Sequence, residues 1–255
     1  MEEGNYLKNI KKGIKVGIIT KAGKKALGIV DEIAVKKDFH PEGITVLLKS
    51  GEIGRVKKIF SFKPESEILN LVKKGESYQR EFKSEALWSL NYKDQDIDKS
   101  KSPDLRTYRQ KTSKVIIAKS IAALLNSEGG NLVIGVREKK NEKNEFELAG
   151  IHPDLEKLKA LEKDSTNDGY KRMIIDDIIR SYFPQKIYNM LNEYLTMKFE
   201  EIEGRLLLNI KIKPSKTRIF LNLAGRKIFM IRTETETRQI VDEELVDYCM
   251  RRFLS

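Results

Sequence analysis

The fold of this 255-residue chain is decided by two segments, Gly75-Glu76-Ser77-Tyr78-Gln79-Arg80-Glu81-Phe82-Lys83 and Asn126-Ser127-Glu128-Gly129-Gly130-Asn131-Leu132-Val133-Ile134-Gly135-Val136-Arg137-Glu138. The first contains a short alternating strand, Gln79–Lys83, and the second a continuous apolar run, Leu132–Val136, typical of a central strand. Between them lies an apolar helix, Val115–Leu125. We expect the two strands to be neighbours in one sheet, with this helix buried against it.

Charged side chains cluster at the ends of these two strands. Alternation places Glu81 and Lys83 on one face of the first strand and Phe82 on the other, in the core. The turn before this strand must fold back if Glu76 is to share a site with Glu81. Glu138 follows the second strand, and a carboxylate there, beside a Glu-x-Lys strand, can hold a divalent cation and place a positive charge near a scissile phosphate. The alternative is an exposed ion pair, common on surfaces rich in lysine and glutamate.

The remainder of this region alternates between helical and strand patterns. We expect helices at Pro153–Lys163, Asp168–Phe183 and Val241–Phe253, and strands at Tyr194–Glu201, Arg205–Lys213, Arg218–Leu221 and Lys227–Arg232. The polar segment Lys93–Lys111 has little to bury, so it is predicted to be a loop beside the site. Residues 64–255 are therefore predicted to form an α/β (α+β) domain, a mixed sheet with flanking helices.

Residues 1–62 have a different pattern, that of a small all-β barrel. Short strands rich in valine and isoleucine are expected at Ile14–Ile19, Leu27–Val35, Ile44–Leu48 and Ile53–Ile59. In so small a unit a closed or nearly closed barrel protects the strand edges. Ser61–Pro64 is predicted to be a short linker between the two domains.

The net charge of +11 is concentrated near the start of the chain, since residues 1–63 carry seven more basic than acidic side chains. Such an excess indicates an anionic partner, most often nucleic acid, although it also serves solubility. The predicted phosphate contacts are Lys21, Lys24, Lys25, Arg55 and Lys57 in the barrel and Arg218, Arg226 and Arg232 in the second domain. An ordinary solvated face is the alternative for each group.

Several other classes of site are excluded. Cys249 is the only cysteine, so an internal disulfide and a cysteine-based metal site are absent, and its place on the last helix favours a buried, inert thiol. His40 and His152 each precede a proline, which places them in turns and argues against a histidine-ligated metal. We find no apolar run long enough to span a membrane and no signal peptide, so we expect a cytoplasmic protein. No G-x-x-x-x-G-K-[ST] loop occurs, so no nucleotide cofactor is expected.

The N-terminal segment resembles the YwbE-like family, a small bacterial domain of unassigned role that also occurs alone. The resemblance rests on Val16-Gly17-Ile18-Ile19-Thr20-Lys21, Gly28-Ile29-Val30, His40-Pro41-x-Gly43-Ile44 and Gly54-Arg55-Val56-Lys57. It implies the barrel domain and brings no known chemistry with it.

Residues 74 to 253 resemble the Schlafen AlbA-2 domain. The matching motifs are Glu76-Ser77, Glu81-Phe82-Lys83-Ser84, Leu87-Trp88 and the long run Lys119 to Val136, followed by Leu148-Ala149-Gly150-Ile151, Ile210 to Ser215 and Phe229-Met230-Ile231-Arg232-Thr233. The resemblance implies an α/β domain that, in Schlafens, is a metal-dependent endoribonuclease acting on tRNA and rRNA through three acidic residues. A non-catalytic DNA- or RNA-binding regulatory module is the alternative.

The resemblance also suggests roles for individual residues. Glu76, Glu81 and Glu138 correspond to the three acids and would hold Mg²⁺ or Mn²⁺, and Lys83 would add a fixed positive charge. The family pattern Gly-Val-Asp-Asp stands here as Gly135-Val136-Arg137-Glu138. Schlafen enzymes use two such lobes and this chain has one, so if it follows them a homodimer would supply the second. RNA is favoured over DNA as the partner.

Overall fold

The structure is a computed structural model that describes residues 3–35, 37–60, 66–139, 145–234 and 236–254. The chain divides into two compact units, Met1–Glu65 and Ser66–Ser255. The predicted linker, Ser61–Pro64, lies outside the described residues. Each unit has its own apolar core, as expected of separate domains.

The first unit is a closed barrel of antiparallel strands. Its strands are β1 (Lys15–Thr20), β2 (Lys25–Ile33), β3 (Thr45–Leu48) and β4 (Ile53–Phe60), preceded by short 3-10 turns at Glu3–Asn5 and Leu7–Asn9. Strand β1 pairs with both β2 and β4, which closes the barrel. Alternate side chains point inward and fill the interior: Val16, Ile18, Val30, Val46, Leu48 and Val56. The predicted small β-barrel is therefore confirmed.

The second unit is built on a mixed sheet. Its strands are β5 (Arg80–Lys83), β6 (Gly130–Ile134), β7 (Val136–Glu138), β8 (Phe146–Leu148), β9 (Leu195–Ile202), β10 (Arg205–Ile212), β11 (Phe220–Leu223), β12 (Arg226–Arg232) and β13 (Thr237–Gln239). The main sheet has the order β5-β6-β10-β9, with β5 parallel to β6 and the other pairs antiparallel. Strands β11-β12-β13 form a second sheet and β7-β8 a third. The two strands predicted to be neighbours, β5 and β6, do pair.

Helices surround this sheet, and one of them is central. The helices are α1 (Glu67–Lys73), α2 (Asp94–Asp98), α3 (Pro103–Tyr108), α4 (Thr112–Asn126), α5 (His152–Ala160), α6 (Asn167–Met173), α7 (Arg180–Tyr182), α8 (Gln185–Asn189), α9 (Leu191–Tyr194) and α10 (Asp242–Phe253), with a π-helical turn at Ile174–Ile179 between α6 and α7. Helix α4 packs between the main sheet and the β11-β12-β13 sheet, and most of its apolar side chains are buried. The predicted mixed sheet with flanking helices is confirmed.

The apolar run Leu132–Val136 is not one strand, contrary to the prediction. Strand β6 ends at Ile134, and Gly135 adopts φ +101° before β7 begins. A side chain at residue 135 would strain this left-handed backbone. The Gly135 N–H still donates to the Lys83 carbonyl at 2.8 Å, after which the chain leaves the main sheet. Glu138 is therefore carried by a separate two-stranded sheet.

The segment Lys93–Lys111 is helical rather than a loop, so that prediction was wrong. It forms α2, α3 and a 3-10 turn, and it buries Ile97 and Leu105. Arg109 holds α2 in place through ion pairs to two of its carboxylates, at 2.8 and 2.9 Å. Ile97 and Leu105 are buried under these short helices, but two isolated apolar residues gave little periodic signal in the sequence.

Candidate functional site

A tight turn brings Glu76 back to the strand that carries Glu81. Ser77 and Arg80 exchange two backbone hydrogen bonds, of 3.0 and 3.1 Å, which reverse the chain between helix α1 and strand β5. As a result, the backbone N–H of Phe82 donates to Glu76 Oε1 at 2.8 Å. The fold-back that the sequence required for a shared site is therefore present.

Glu81 lies buried between two cations. Its side chain is only 5% exposed, and Lys83 Nζ contacts Oε1 while Arg232 Nη1 contacts Oε2. The Ser120 hydroxyl of α4 lies 3.5 Å from Oε1. A buried carboxylate requires such partners because its loss of hydration is costly. The charge of Glu81 is thus compensated by side chains of the protein itself.

Arg232 is fixed by the backbone around it. Its guanidinium donates to the Ser77 carbonyl at 3.1 Å and to the Arg80 carbonyl at 3.2 Å, and its Nη2 lies 3.9 Å from Glu76 Oε2. The side chain is only 2% exposed. Arg232 was predicted from the sequence to contact a phosphate, but its side chain is buried beside Glu81 and Glu76. Its spacing along β12 could not show that its partners come from another sheet.

These residues line an open pocket of about 460 Å³. The lining residues are Glu76, Glu81, Lys83, Asp104, Ile116, Lys119, Ser120, Met230, Arg232, Glu236, Thr237 and Gln239. Lys119 Nζ contacts both carboxylate oxygens of Asp104, at 2.9 and 3.0 Å, and lies over the Tyr108 ring. The pocket therefore alternates positive and negative groups and is not purely acidic.

Lys119 and Ser120 belong to the site although they were not predicted from the sequence. A signal for them existed, since they are the only polar residues between Val115 and Leu125. Two polar side chains on an otherwise apolar helix mark the part of its surface that faces a polar cavity. They point to the same pocket as Glu81.

Burial is the main influence on the acid strength of Glu76. Loss of hydration raises the pKa of Glu76 above its ordinary value, and the neighbouring negative charge of Glu81 raises it further. The hydrogen bond from Phe82 N–H and the charges of Lys83 and Arg232 act in the opposite direction. Glu76 therefore retains its proton to a higher pH than an exposed glutamate does.

The structure does not bring Glu138 to this pocket. Glu138 is exposed on β7 and does not line the cavity. Alternation along β7 places it on the same side as Val136, which packs with Phe82 on the face opposite Glu81. Glu138 was predicted to follow directly on the strand that is β6, but the break at Gly135 places it on a different strand.

The arrangement does not fit a divalent cation held by three carboxylates. Within the described ranges, no group of three His, Cys, Asp or Glu side chains is placed to hold a metal ion. Both oxygens of Glu81 already contact cationic side chains. Next to Glu138, Arg137 Nε donates to Glu147 Oε1 at 2.5 Å in an exposed ion pair on the β7-β8 sheet.

The Asn126–Gly130 motif has a structural role that supports the site. The Asn126 amide donates to the Ile219 and Met230 carbonyls at 2.8 and 3.0 Å, and its oxygen accepts from Ile219 N–H at 2.9 Å. Ser127 Oγ accepts from Arg232 N–H at 3.0 Å. The end of α4 thereby holds β12 so that Arg232 reaches Glu81.

A buried carboxylate outside the pocket, that of Asp154, was also not predicted from the sequence. It accepts hydrogen bonds from Ala86 N–H (2.7 Å), Leu87 N–H (3.0 Å) and the Tyr170 hydroxyl (2.7 Å). Burial raises the pKa of Asp154. These contacts anchor the chain just after β5, so Asp154 supports the strand that carries Glu81.

The remaining predicted nucleic-acid contacts lie at the surface of their own units. Exposed side chains are those of Lys21, Lys24, Lys25, Arg218 and Arg226, and half-buried ones are those of Arg55 and Lys57. Their role in binding remains a prediction.

Comparison with known families gives two matches. Residues 76–241 match the family described as Schlafen, AlbA_2, and residues 3–59 match the family described as Uncharacterized conserved protein (DUF2196). The "Uncharacterized protein YwbE" of Bacillus subtilis (strain 168) is 44% identical over 62 residues, which cover 23% of this chain and 95% of that protein.

A solved structure, that of the DIP2311 protein from Corynebacterium diphtheriae, is a more distant likeness. It is 13% identical with a TM-score of 0.39, and the alignment covers 69% of this chain but only 27% of that protein. Within the described residues, no helix is both long enough and apolar enough to cross a membrane.

Proposed function

This chain belongs to the Schlafen AlbA_2 family through residues 76–241, and we propose that it is a nucleic-acid-binding protein that recognises structured RNA of the tRNA or rRNA type. Family membership supports the nucleic-acid part of this proposal. The net charge of +11, concentrated in residues 1–63, supports an anionic partner. The preference for RNA over DNA rests on the resemblance to Schlafens.

The observation that carries the proposal is the internal compensation of Glu81 by Lys83 and Arg232. An acidic pocket repels the phosphates of RNA unless cations intervene. Here the cations are supplied by the protein, and the Lys83 side chain is still 28% exposed. A phosphate at the mouth of the pocket would find Lys83 and Lys119 beside the partly exposed carboxylates of Glu76 and Asp104, and Asp104 is itself paired with Lys119. The arrangement therefore supports binding better than metal-dependent cleavage.

A second candidate function is metal-dependent endoribonuclease activity. One observation favours it: the turn at Ser77–Arg80 brings Glu76 and Glu81 into a single pocket, as two of the three predicted acids require. The third, Glu138, lies outside that pocket, and Arg232 occupies Oε2 of Glu81. Mg²⁺ or Mn²⁺ therefore belongs to this second candidate function alone.

Equilibrium binding of total tRNA, compared with duplex DNA, tests the proposed function. We expect tRNA to bind more tightly, with an affinity that falls linearly on a double-logarithmic plot as salt increases. We also expect EDTA to leave the affinity unchanged. Absence of salt-dependent binding to both nucleic acids would overturn the proposal.

A cleavage assay on the same tRNA decides between the two candidates. We expect intact tRNA after incubation with Mn²⁺. Cuts that require Mn²⁺ and disappear in a Glu81→Gln variant would establish the endoribonuclease instead. An exposed-residue variant, Glu201→Gln on β9, is the matched control for the change of charge.

A further inference from the structure

The outer surface of the barrel carries a pocket to which no role is assigned. Three strands meet there in register, so that Ile19 of β1, Arg55 of β4 and Thr45 of β3 stand in one row. Their chain neighbours Ile18, Val46 and Val56 point into the barrel core. The pocket measures about 330 Å³ and is lined by Ile19, Thr20, Lys21, Glu42, Thr45, Ile53, Gly54, Arg55 and Lys57.

Arg55 is held in a defined position at this pocket. Its Nη1 lies 2.7 Å from the imidazole nitrogens of His40 and 2.9 Å from Glu42 Oε2. The loop can approach so closely because Gly43 adopts φ +97°, and a Cβ there would lie 2.1 Å from the Val56 carbonyl oxygen. The His-Pro-x-Gly and Gly-Arg-Val-Lys motifs of the sequence are thus explained as parts of one site.

Two lysines stand beside Arg55 without ion-pair partners among the described residues, Lys21 and Lys57. Lys57 lies in a β-bulge, because Ile18 pairs with Val56 and Gly17 with Lys58, so Lys57 has no partner on β1. Bulges commonly redirect a side chain at a site. The carboxylate of Glu42 is already engaged by Arg55, which leaves the pocket with an excess of positive charge.

The pocket also has an apolar floor. Ile19 and Ile53 line it, and the Ile53 side chain is 53% exposed, so it is accessible to a bound ligand. An ionic ligand alone would not benefit from this surface. A nucleotide would, because its base has an apolar face and its phosphate a negative charge.

We propose that this pocket binds one nucleotide of a single-stranded stretch of nucleic acid, with the phosphate on Arg55 and Lys57 and the face of the base on Ile53. This inference rests on the proposed function and gives the first unit a part in it. A base inside a duplex is stacked on both sides and cannot reach the floor, whereas a base in a loop or at an end of a folded RNA can.

The test uses the full chain and a fluorescein-labelled oligouridine, with binding followed by anisotropy at low salt. We expect Lys57→Met to weaken binding about fivefold, the effect of losing one phosphate contact. Lys15→Met is the matched control, since Lys15 is an exposed lysine of the same barrel that does not line the pocket. Equal losses of oligouridine affinity in the two variants would overturn the proposed site, because they would show only a non-specific electrostatic attraction.

A second variant tests the apolar floor. We expect Ile53→Ser to weaken oligouridine binding about threefold and to leave binding of an RNA duplex unchanged. Equal weakening for both ligands would overturn the base contact. Thermal unfolding of each variant confirms that the barrel is intact. If the wild-type chain binds no nucleic acid at all, the proposed function itself fails, whereas wild-type binding unaffected by either variant overturns the barrel site alone.

Discussion

At the scale of single residues, the guanidinium of Arg232 connects three parts of the second unit. It contacts Glu81 on β5, the Ser77 carbonyl in the turn before β5 and the Arg80 carbonyl at the start of β5, and, at longer range, Glu76. Glu81 and Arg232 are almost fully buried, so each depends on the other for compensation of its charge. The two side chains should therefore contribute to stability as a unit.

Replacement of Arg232 tests this coupling. We expect Arg232→Met to lower the free energy of unfolding by about 3–5 kcal/mol, because it leaves Glu81 buried with Lys83 as its remaining cation. Urea denaturation measures the change. Arg238→Met is the matched control, since Arg238 forms an exposed ion pair with Glu244, and its loss should cost less than about 1 kcal/mol.

The double variant Arg232→Met, Glu81→Gln completes the thermodynamic cycle. We expect it to lose less stability than the sum of the two single variants, because the second change removes the uncompensated charge. If the loss in free energy of unfolding of the double variant equals the sum of the two single losses, the energetic coupling between Glu81 and Arg232 is contradicted.

Glu76 provides a pH test of the same pocket. Since its pKa is raised in the folded state, the folded chain holds a proton at pH values where the unfolded chain has lost it. The contribution of Glu76 to the free energy of unfolding is therefore largest in acid and falls as the pH rises from the ordinary glutamate pKa, about 4.3, through the raised value.

We expect the free energy of unfolding of Glu76→Gln to lack this decrease with rising pH. Glutamine does not ionise, but it can still accept the hydrogen bond from Phe82 N–H. Urea denaturation at a series of pH values should show the variant gaining stability relative to wild type as the pH rises through that interval. Glu201→Gln, at an exposed position, should show no such gain. A gain that appears on acidification instead would contradict the raised pKa.

Residues differ in how far the sequence revealed their roles. Glu81, Lys83 and Phe82 were placed correctly because strand alternation is a local rule. The burial of Arg232 and the part played by Lys119 depend on packing between elements far apart in the chain, which alternation does not report.

At the scale of elements, the carboxyl end of α4 organises the site. Asn126 joins it to Ile219, the residue before β11, and to Met230 of β12 through three buried hydrogen bonds, and the Ser127 hydroxyl accepts a hydrogen bond from the backbone N–H of Arg232. The conspicuous Asn-Ser-Glu-Gly-Gly sequence thus serves to position a strand. Its effect on the pocket is indirect.

Removal of the Asn126 amide should be costly. We expect Asn126→Ala to lower the free energy of unfolding by about 3 kcal/mol or more, because three buried backbone groups would lose their partner. Asn222→Ala, at an exposed position on β11, is the control and should have little effect. A loss no larger than that of the control would show that the hydrogen bonds do not hold the strand.

The elements themselves were predicted with uneven success. Strands β5 and β6, their pairing, and helix α4 followed from periodicity, as did the barrel strands. The break at Gly135 did not, because a glycine inside an apolar run is compatible with either a strand or a turn, and only tertiary contacts decide. That one residue separates Glu138 from the other two predicted acids.

At the scale of the whole molecule, the two units have distinct proposed tasks, nucleotide binding by the barrel and RNA recognition by the AlbA_2 unit. We also propose a homodimer, in which the partner chain supplies a second AlbA_2 unit. Light scattering after size-exclusion chromatography should then give twice the 29.4 kDa mass of the chain. The mass of a single chain at micromolar concentration would exclude the dimer.

The most direct test of the central claim is a labelled tRNA mixed with the full chain in EDTA and, separately, in Mn²⁺. Native gels report binding, and denaturing gels report cleavage. We expect a mobility shift in both buffers and intact RNA in both. The absence of a shift, or cuts that need Mn²⁺ and vanish in Glu81→Gln, would contradict a binding site whose buried carboxylate is compensated by Lys83 and Arg232.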